Sequence, residues 1–352
     1  MRENWLAQGQ SKPFVIGIDT SCYTTSVACV SPLAPKRQGT GEEPGVTVGS
    51  DVANPYDGIV FQKRTMLSVP LGNRGLRQSD AVFMHIRNLP PLVEALFSQV
   101  HGGDVGAVCV SAKPTAGAES YMPVFLAGVA VARSVAAALG VPLYEQTHQA
   151  GHVRAALLHN EHLFYEKQIL ALHLSGGTTD ILLVELDGVN RTLGAITPIG
   201  GSDDLHAGQF VDRVGVRLGL PFPSGQSLEK LARLAAHKDI RLPSNVRGLC
   251  CSFSGQETKA LRLWDEGALN EEIAYAVYDC LARTVAKLIR NAVQTYGDLP
   301  VLLSGGVSSS VLLRELLSKR LERKLYYAQE GLSADNAVGT ALLGLDRRRQ
   351  PE

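Results

Sequence analysis

The sequence predicts an α/β protein made of two related lobes with a cleft between them, and three observations carry that prediction. Short apolar strands alternate with stretches of helical spacing along the chain. An apolar strand, a small polar turn containing Thr-Thr and a second apolar strand occur at 14–30, and the same order returns at 169–186. A third strand, 301–304, runs into Gly305-Gly306-Val307-Ser308-Ser309-Ser310 and then a helix from Val311. Two unrelated α/β domains with ordinary hairpins remain the alternative. At 352 residues there is room for about two domains.

Element by element, Phe14 to Ile18 and Ser26 to Val30 read as buried strands joined by the polar turn Asp19 to Thr25. Residues 32–58 are rich in Gly, Pro and charge without periodicity, and read as an inserted loop. Strand character resumes from Ile59 to Val69. Ser79 to Val100 has helical spacing around Leu89-Pro90-Pro91, and Ala107 to Ser111 is a further strand. Pro123 to Leu139 reads as an Ala-rich helix stopped at Gly140. Leu143 to Gln146 leads into a helix from Thr147 to Leu158. The expected division is an N-terminal tail (1–13), a first lobe (14–145), a metal-binding helix and connection (146–168), a second lobe (169–345) and a C-terminal tail (346–352).

Composition narrows the function. Hydrophobic residues make up 45% and charged residues 19%, enough apolar matter for a sizeable core. Lys plus Arg (34) cancels Asp plus Glu (34), so the chain carries no overall basic field for nucleic acid. The six cysteines form no C-x-x-C, and reduced cytoplasmic thiols are the simplest reading. No apolar stretch reaches membrane-spanning length, so no membrane partner is expected. Neither a P-loop nor a G-x-G-x-x-G is present.

Two kinds of motif carry chemistry. Ser175-Gly176-Gly177-Thr178-Thr179 and Ser304-Gly305-Gly306-Val307-Ser308 each follow a buried strand, and paired glycines let backbone N–H groups approach an anion. His148 and His152 are four apart in a predicted helix, so both rings share a face and suit one transition metal. Asp335, ahead of a small-residue helix, is a candidate third ligand. Gln149 stands where an H-E-x-x-H protease would need its Glu, which disfavours that reading.

Taken in order, Gly17-Ile18-Asp19-Thr20-Ser21-Cys22, His148-x-x-x-His152, Leu174-Ser175-Gly176-Gly177, Phe210-Val211-Asp212-Arg213, Gly219 to Gly225, Cys251-Ser252-Phe253-Ser254-Gly255, Ser304-Gly305-Gly306-Val307 and Asp335-Asn336 resemble the tRNA adenosine threonylcarbamoyltransferase family. The resemblance implies the two-lobed architecture of actin, the heat-shock ATPases and the sugar kinases. It implies transfer of a threonylcarbamoyl group from threonylcarbamoyl-AMP to the N6 amine of the adenosine beside the tRNA anticodon. One divalent metal, iron or zinc, would be bound by His148, His152 and Asp335. Leu174, Ser175, Gly176, Gly177, Asp212, Gly225 and Ser310 would bind the acyl-adenylate, with Asp19, Thr20, Ser21, Gly305 and Gly306 as further nucleotide-loop candidates. No catalytic base is assigned. Implied partners are an adenine nucleotide, tRNA, a smaller paralogous subunit and an ATPase subunit.

The chain also departs from the family's usual pattern. Tyr23-Thr24-Thr25 stand where acidic residues are usual, Ala150 replaces a Glu between the histidines, and Thr178 replaces a His. Gln209, Gln256, Glu257 and Ser310 replace Glu, Leu, Lys and Asn. Such changes leave open a catalytically divergent paralogue that binds a nucleotide or a partner protein in the same cleft.

Overall fold

A computed structural model describes residues 12–21, 23–32, 58–69, 76–117 and 119–349. Cys22, nearly all of the expected loop at 32–58, and the outer parts of both expected tails lie outside the described residues. The described residues fall into two compact units. The first takes residues up to Leu67, Arg77–Ala155 and those from Asp335 onward; the second takes Ser68–Leu76 and Ala156–Ala334.

The first unit is built on a five-stranded sheet of β1 (Phe14–Asp19), β2 (Thr24–Val30), β3 (Ile59–Met66), β4 (Val105–Lys113) and β5 (Leu143–Thr147), in the order β3-β2-β1-β4-β5. The first three strands form an antiparallel meander; β4 runs parallel to β1, and β5 parallel to β4. Strand side chains alternate between faces, and in the central strands β2, β1 and β4 both faces are buried. Ile16, Ile18, Val108 and Val110 join a core with Leu89, Leu92 and Leu96 of α1 (Gln78–Phe97) and Ala132 and Ala136 of α2 (Phe125–Leu139). Pro90 and Pro91 sit inside α1 on its exposed side, where water can satisfy the freed carbonyls. Gly140 ends α2 in the left-handed conformation, φ 62°, as its place in the sequence suggests.

The opposite face of that sheet takes α9 (Val338–Arg349). A Cβ on Gly17 would stand 2.3 Å from the Ala337 carbonyl oxygen, and one on Gly344 2.6 Å from the Cys109 side chain. Both glycines are therefore required by close approach of helix to sheet. Residues 335–349 thus belong to the first unit, whereas the sequence reading ran the second lobe to 345; the small-residue face of β1 and β4 is what recruits them.

The second unit repeats the plan. Its seven-stranded sheet comprises β6 (Gln168–Leu174), β7 (Thr179–Asp187), β8 (Thr192–Ser202), β9 (Asn245–Arg247), β10 (Cys250–Ser252), β11 (Val301–Ser304) and β12 (Leu325–Tyr327), ordered β12-β11-β6-β7-β8-β10-β9. Strands β6, β7 and β8 form an antiparallel meander, and β11 and β12 continue parallel from β6. That is the connectivity of β1 to β5, with β9 and β10 added beyond β8, so the duplication read from the sequence is real. The core of this unit surrounds α7 (Asn270–Tyr296), which is apolar on nearly every turn and packs with α4 (Ala207–Arg217), α5 (Gly225–Ala232), α6 (Ser254–Asp265) and α8 (Val311–Ser318). Phe210 and Phe253 stack within it at a centroid distance of 5.5 Å.

Helix α3 (His148–Leu157) completes the first unit by crossing α9. A Cβ on Gly339 would lie 1.8 Å from the Gly151 carbonyl oxygen, so the two backbones touch directly. The Arg154 guanidinium adds a two-pronged buried pair with Asp346, at 2.6 and 3.2 Å. Gly339→Ala must push the helices apart, and overpacking of this kind costs about 1–3 kcal/mol. Thermal or denaturant unfolding of the variant checks that loss; a stability equal to the parent would show the crossing to be loose.

Candidate metal centre and nucleotide-facing turns

The centre arises where β5 ends and α3 begins. Thr147 caps the helix by accepting from the Ala150 N–H at 3.1 Å. One helical turn then brings the rings of His148 and His152 onto the same side, with centroids 4.4 Å apart and planes at 81°. Asp335 arrives from the segment ahead of α9. That segment is fixed by the Ala337 N–H donating to Ser26 Oγ of β2 (2.9 Å) and by Asn336 capping α9 through the Val338 N–H (3.0 Å).

Three donor atoms converge. His148 Nε2 lies 2.9 Å from His152 Nε2, and Asp335 Oδ1 lies 3.2 Å from His152 Nε2 and 3.5 Å from His148 Nε2. Ligands about 2.0–2.1 Å from one cation stand about 2.9 Å apart at a right angle and about 3.3 Å apart at the tetrahedral angle. Two of the observed edges fall in that range and the third, at 3.5 Å, needs only a slightly wider angle of about 117°, so these residues fit a metal. Two imidazoles and one carboxylate suit zinc or iron equally. Among the described residues this is the one cluster of three such donors.

The electrostatics follow from enclosure. Burial disfavours a charged His148, yet the carboxylates of Asp19 and Asp335 outweigh it and hold its pKa up to about 10. Burial and the charge on His148 together push His152 down. Burial would raise Asp335, but the two imidazoles win and hold it well below the usual carboxylate range. A site of this make-up stabilises positive charge.

Around the other sequence candidates, bonds are spent inside the protein. Asp19, Thr20 and Ser21 are fully buried. The Thr20 hydroxyl donates to the Val124 carbonyl (2.9 Å) and accepts from the Gly128 N–H (3.2 Å), locking the start of α2. In the second unit, Ser175 Oγ accepts from the N–H groups of Gly177 (3.3 Å) and Thr178 (3.1 Å), which shapes the turn. Leu174 points into the core, and its backbone lies so close to Gly305 that a Cβ there would meet the Leu174 carbonyl at 2.3 Å. The two glycine turns therefore stand back to back, with open space where Cβ atoms of Gly176 and Gly306 would be. Ser310 caps α8 by accepting from the Leu313 N–H at 3.1 Å.

Asp212 and Gly225 also come together. Asp212 Oδ1 accepts from the Ser224 N–H at 2.7 Å, and the next residue, Gly225, accepts from the Tyr278 hydroxyl at 2.8 Å. Sequence reasoning missed Tyr278, and it missed Asp204, which accepts from the Phe253 N–H (2.8 Å) and Ser254 N–H (3.2 Å) to fix the entry of α6. Glu257, where the family usually has Lys, pairs with Arg213 at 3.3 Å, so the reversed charge is answered within the same unit.

Burial pushes the Asp212 carboxyl up to about 6, against a smaller lowering by the Ser224 N–H. The folded state then keeps a proton between about pH 4 and 6 that the unfolded chain has lost, so this group favours folding at acid pH and that benefit fades as pH rises through about 6. Asp212→Asn keeps the acceptor and removes the titration. The variant should be about 1–2 kcal/mol more stable than the parent at pH 7.5, with the difference gone near pH 4. Urea unfolding across that range measures it; a constant difference would refute the assignment.

Residues 73–342 match the sequence profile of the tRNA N6-adenosine threonylcarbamoyltransferase family. A protein of that description from Methanopyrus kandleri is 28% identical over 314 residues, covering 88% of this chain and 85% of its own. A "Probable bifunctional tRNA threonylcarbamoyladenosine biosynthesis protein" from Methanocaldococcus jannaschii is 27% identical over 312 residues; the match covers 88% of this chain and 54% of that longer one. Among solved structures, full-length HypF in its phosphate- and nucleotide-bound form superposes with TM-score 0.58 at 12% identity, over 97% of this chain and 47% of HypF. Component A of (R)-2-hydroxyglutaryl-CoA dehydratase from Acidaminococcus fermentans gives 0.53 at 14%, over 96% and 99%. These two likenesses show a shared α/β fold over nearly the whole chain and nothing finer. The sequence match spans most of the chain, and on that ground it belongs to the tRNA N6-adenosine threonylcarbamoyltransferase family, whose members are acyltransferases.

Proposed function

We propose that the protein transfers the threonylcarbamoyl group of threonylcarbamoyl-AMP to the N6 amine of the adenosine beside the tRNA anticodon. The observation that carries this reading is the convergence of His148 Nε2, His152 Nε2 and Asp335 Oδ1, with separations of 2.9, 3.2 and 3.5 Å, in a member of that family. In the reaction the N6 nitrogen attacks the carbamoyl carbon and a C–N bond forms. The C–O bond to the phosphate breaks, AMP leaves with the oxygen, and the amine proton passes to solvent. A divalent iron or zinc ion, when bound, supplies Lewis acidity at the carbamoyl carbonyl.

The chain's own residues bind and orient. His148, His152 and Asp335 hold the cation on rigid elements. In the second unit the turn Leu174 to Gly177, with Gly305 and Gly306, lines the adenylate; the open space at Gly176 and Gly306, where a ligand can approach the backbone closely, supports this role. The Asp212 carboxylate accepts from ribose hydroxyls, and Gly225 and Ser310 bound the nucleoside. A mixed anhydride is reactive enough that no general base is assigned. With equal numbers of basic and acidic residues, docking of tRNA relies on local patches or on partner subunits, for which the smaller paralogue and an ATPase are the candidates. A tRNA substrate places the work in the cytoplasm. Among the described residues no helix is long and apolar enough to cross a membrane.

Metal analysis of the purified protein should find about one equivalent of iron or zinc, and His152→Ala or Asp335→Ala should lower metal affinity at least about a hundredfold. Incubation with threonylcarbamoyl-AMP, unmodified tRNA and partner subunits should give modified tRNA with the parent and none with either variant. Undiminished product from a metal-free His152→Ala variant would sink this reading.

A further inference from the structure

The segment Asp19-Thr20-Ser21 reads in the sequence as a nucleotide loop, yet its side chains face inward and are fully buried. Asp19 ends β1, paired with Ser26 of β2, on the sheet face that also receives α9. Its two oxygens have separate partners. Oδ2 accepts from Ser21 Oγ at 2.7 Å, and Oδ1 lies 3.2 Å from His148 Nδ1. An ionised carboxylate only accepts hydrogen bonds. Nδ1 must therefore carry a proton, so Nε2 is the nitrogen of His148 that can give a lone pair to a metal. That nitrogen is the one facing His152 Nε2 and Asp335 Oδ1. Asp19 itself sits at the far edge of the ring from those donors.

The same strand ends hold both sides of the centre. Ser26, opposite Asp19, accepts from the Ala337 N–H two residues after Asp335. A carboxylate placed here is costly to bury unless it is paired and hydrogen-bonded. Both conditions are met by a chain running from Ser21 through Asp19 to His148.

From this geometry we infer that Asp19, supported by Ser21, is a positioning residue that fixes the ring and tautomer of His148 for metal ligation, and is not a nucleotide contact. The inference rests on the metal reading given above. A ligating histidine whose other N–H meets a carboxylate is more basic and better ordered, and loss of such a partner costs about ten- to hundredfold in metal affinity.

The test uses the full chain with cobalt(II) as probe, titrated against a competing chelator and followed by its visible absorption. Asp19→Asn should bind cobalt about ten- to hundredfold more weakly than the parent, with a shifted absorption band, while circular dichroism shows the same fold. Ser21→Ala should weaken binding by a smaller factor. A folded Asp19→Asn variant that binds within about twofold of the parent, with an unchanged band, overturns the inference and leaves the metal reading standing. A parent protein that binds no cobalt overturns both. Should Asp19→Asn fail to fold, nitrogen-15 histidine spectra of the zinc-loaded parent decide. A His148 proton on Nδ1 with metal on Nε2 supports the inference, and the reverse arrangement refutes it.

Discussion

Where α3 crosses α9, Gly151 and Gly339 bring two helix backbones closer than any side chain would permit. The rest of the candidate centre hangs on that contact. Gly151 lies between the two histidines of α3, and Gly339 follows Asp335 by four residues, so the distance between helix axes sets the distance between imidazoles and carboxylate. The buried Arg154–Asp346 pair zips the crossing one turn further along α3 and two turns further along α9. Close packing converts sequence positions far apart into donor atoms within 3.5 Å.

Beneath the crossing lies a sheet with two different faces. Alternation along β1 and β4 puts Ile16, Ile18, Val108 and Val110 towards α1 and α2, and leaves Val15, Gly17 and Cys109 towards α9. Large side chains on one face make a core; small ones on the other admit a helix closely enough for its leading segment to reach β2. The polar end of the same face carries Asp19 and Ser26, so the transition from packing to chemistry takes place within a single strand pair.

Much of this was legible in the sequence because it is written in local patterns. The strands at 14–19 and 168–174 are apolar runs bounded by polar turns, Gly140 is a helix stop, and the histidine spacing needs only the helical period. Other parts depend on partners distant in the chain. Nothing near Asp19 indicates that its carboxylate meets a ring 129 positions later. The strands β8 to β10 are short, Gly-rich or exposed, and their pairing is decided by register with β7 and by the Asp204 cap. Helix α9 has a mixed sequence, and its membership of the first unit follows from the shape of the sheet face and not from its own periodicity.

The first unit is also discontinuous: its C-terminal helix is separated from α3 by almost the whole of the second unit. During synthesis the ribosome delivers β1 to β5 and both histidines long before residue 335 emerges. Before that residue the chain has supplied only two of the three candidate donors. The main stretch of the second unit, 156–334, has all its described strands while the first still waits for its last helix. Asp335, the third candidate donor, therefore follows every strand of the second unit's sheet in the chain.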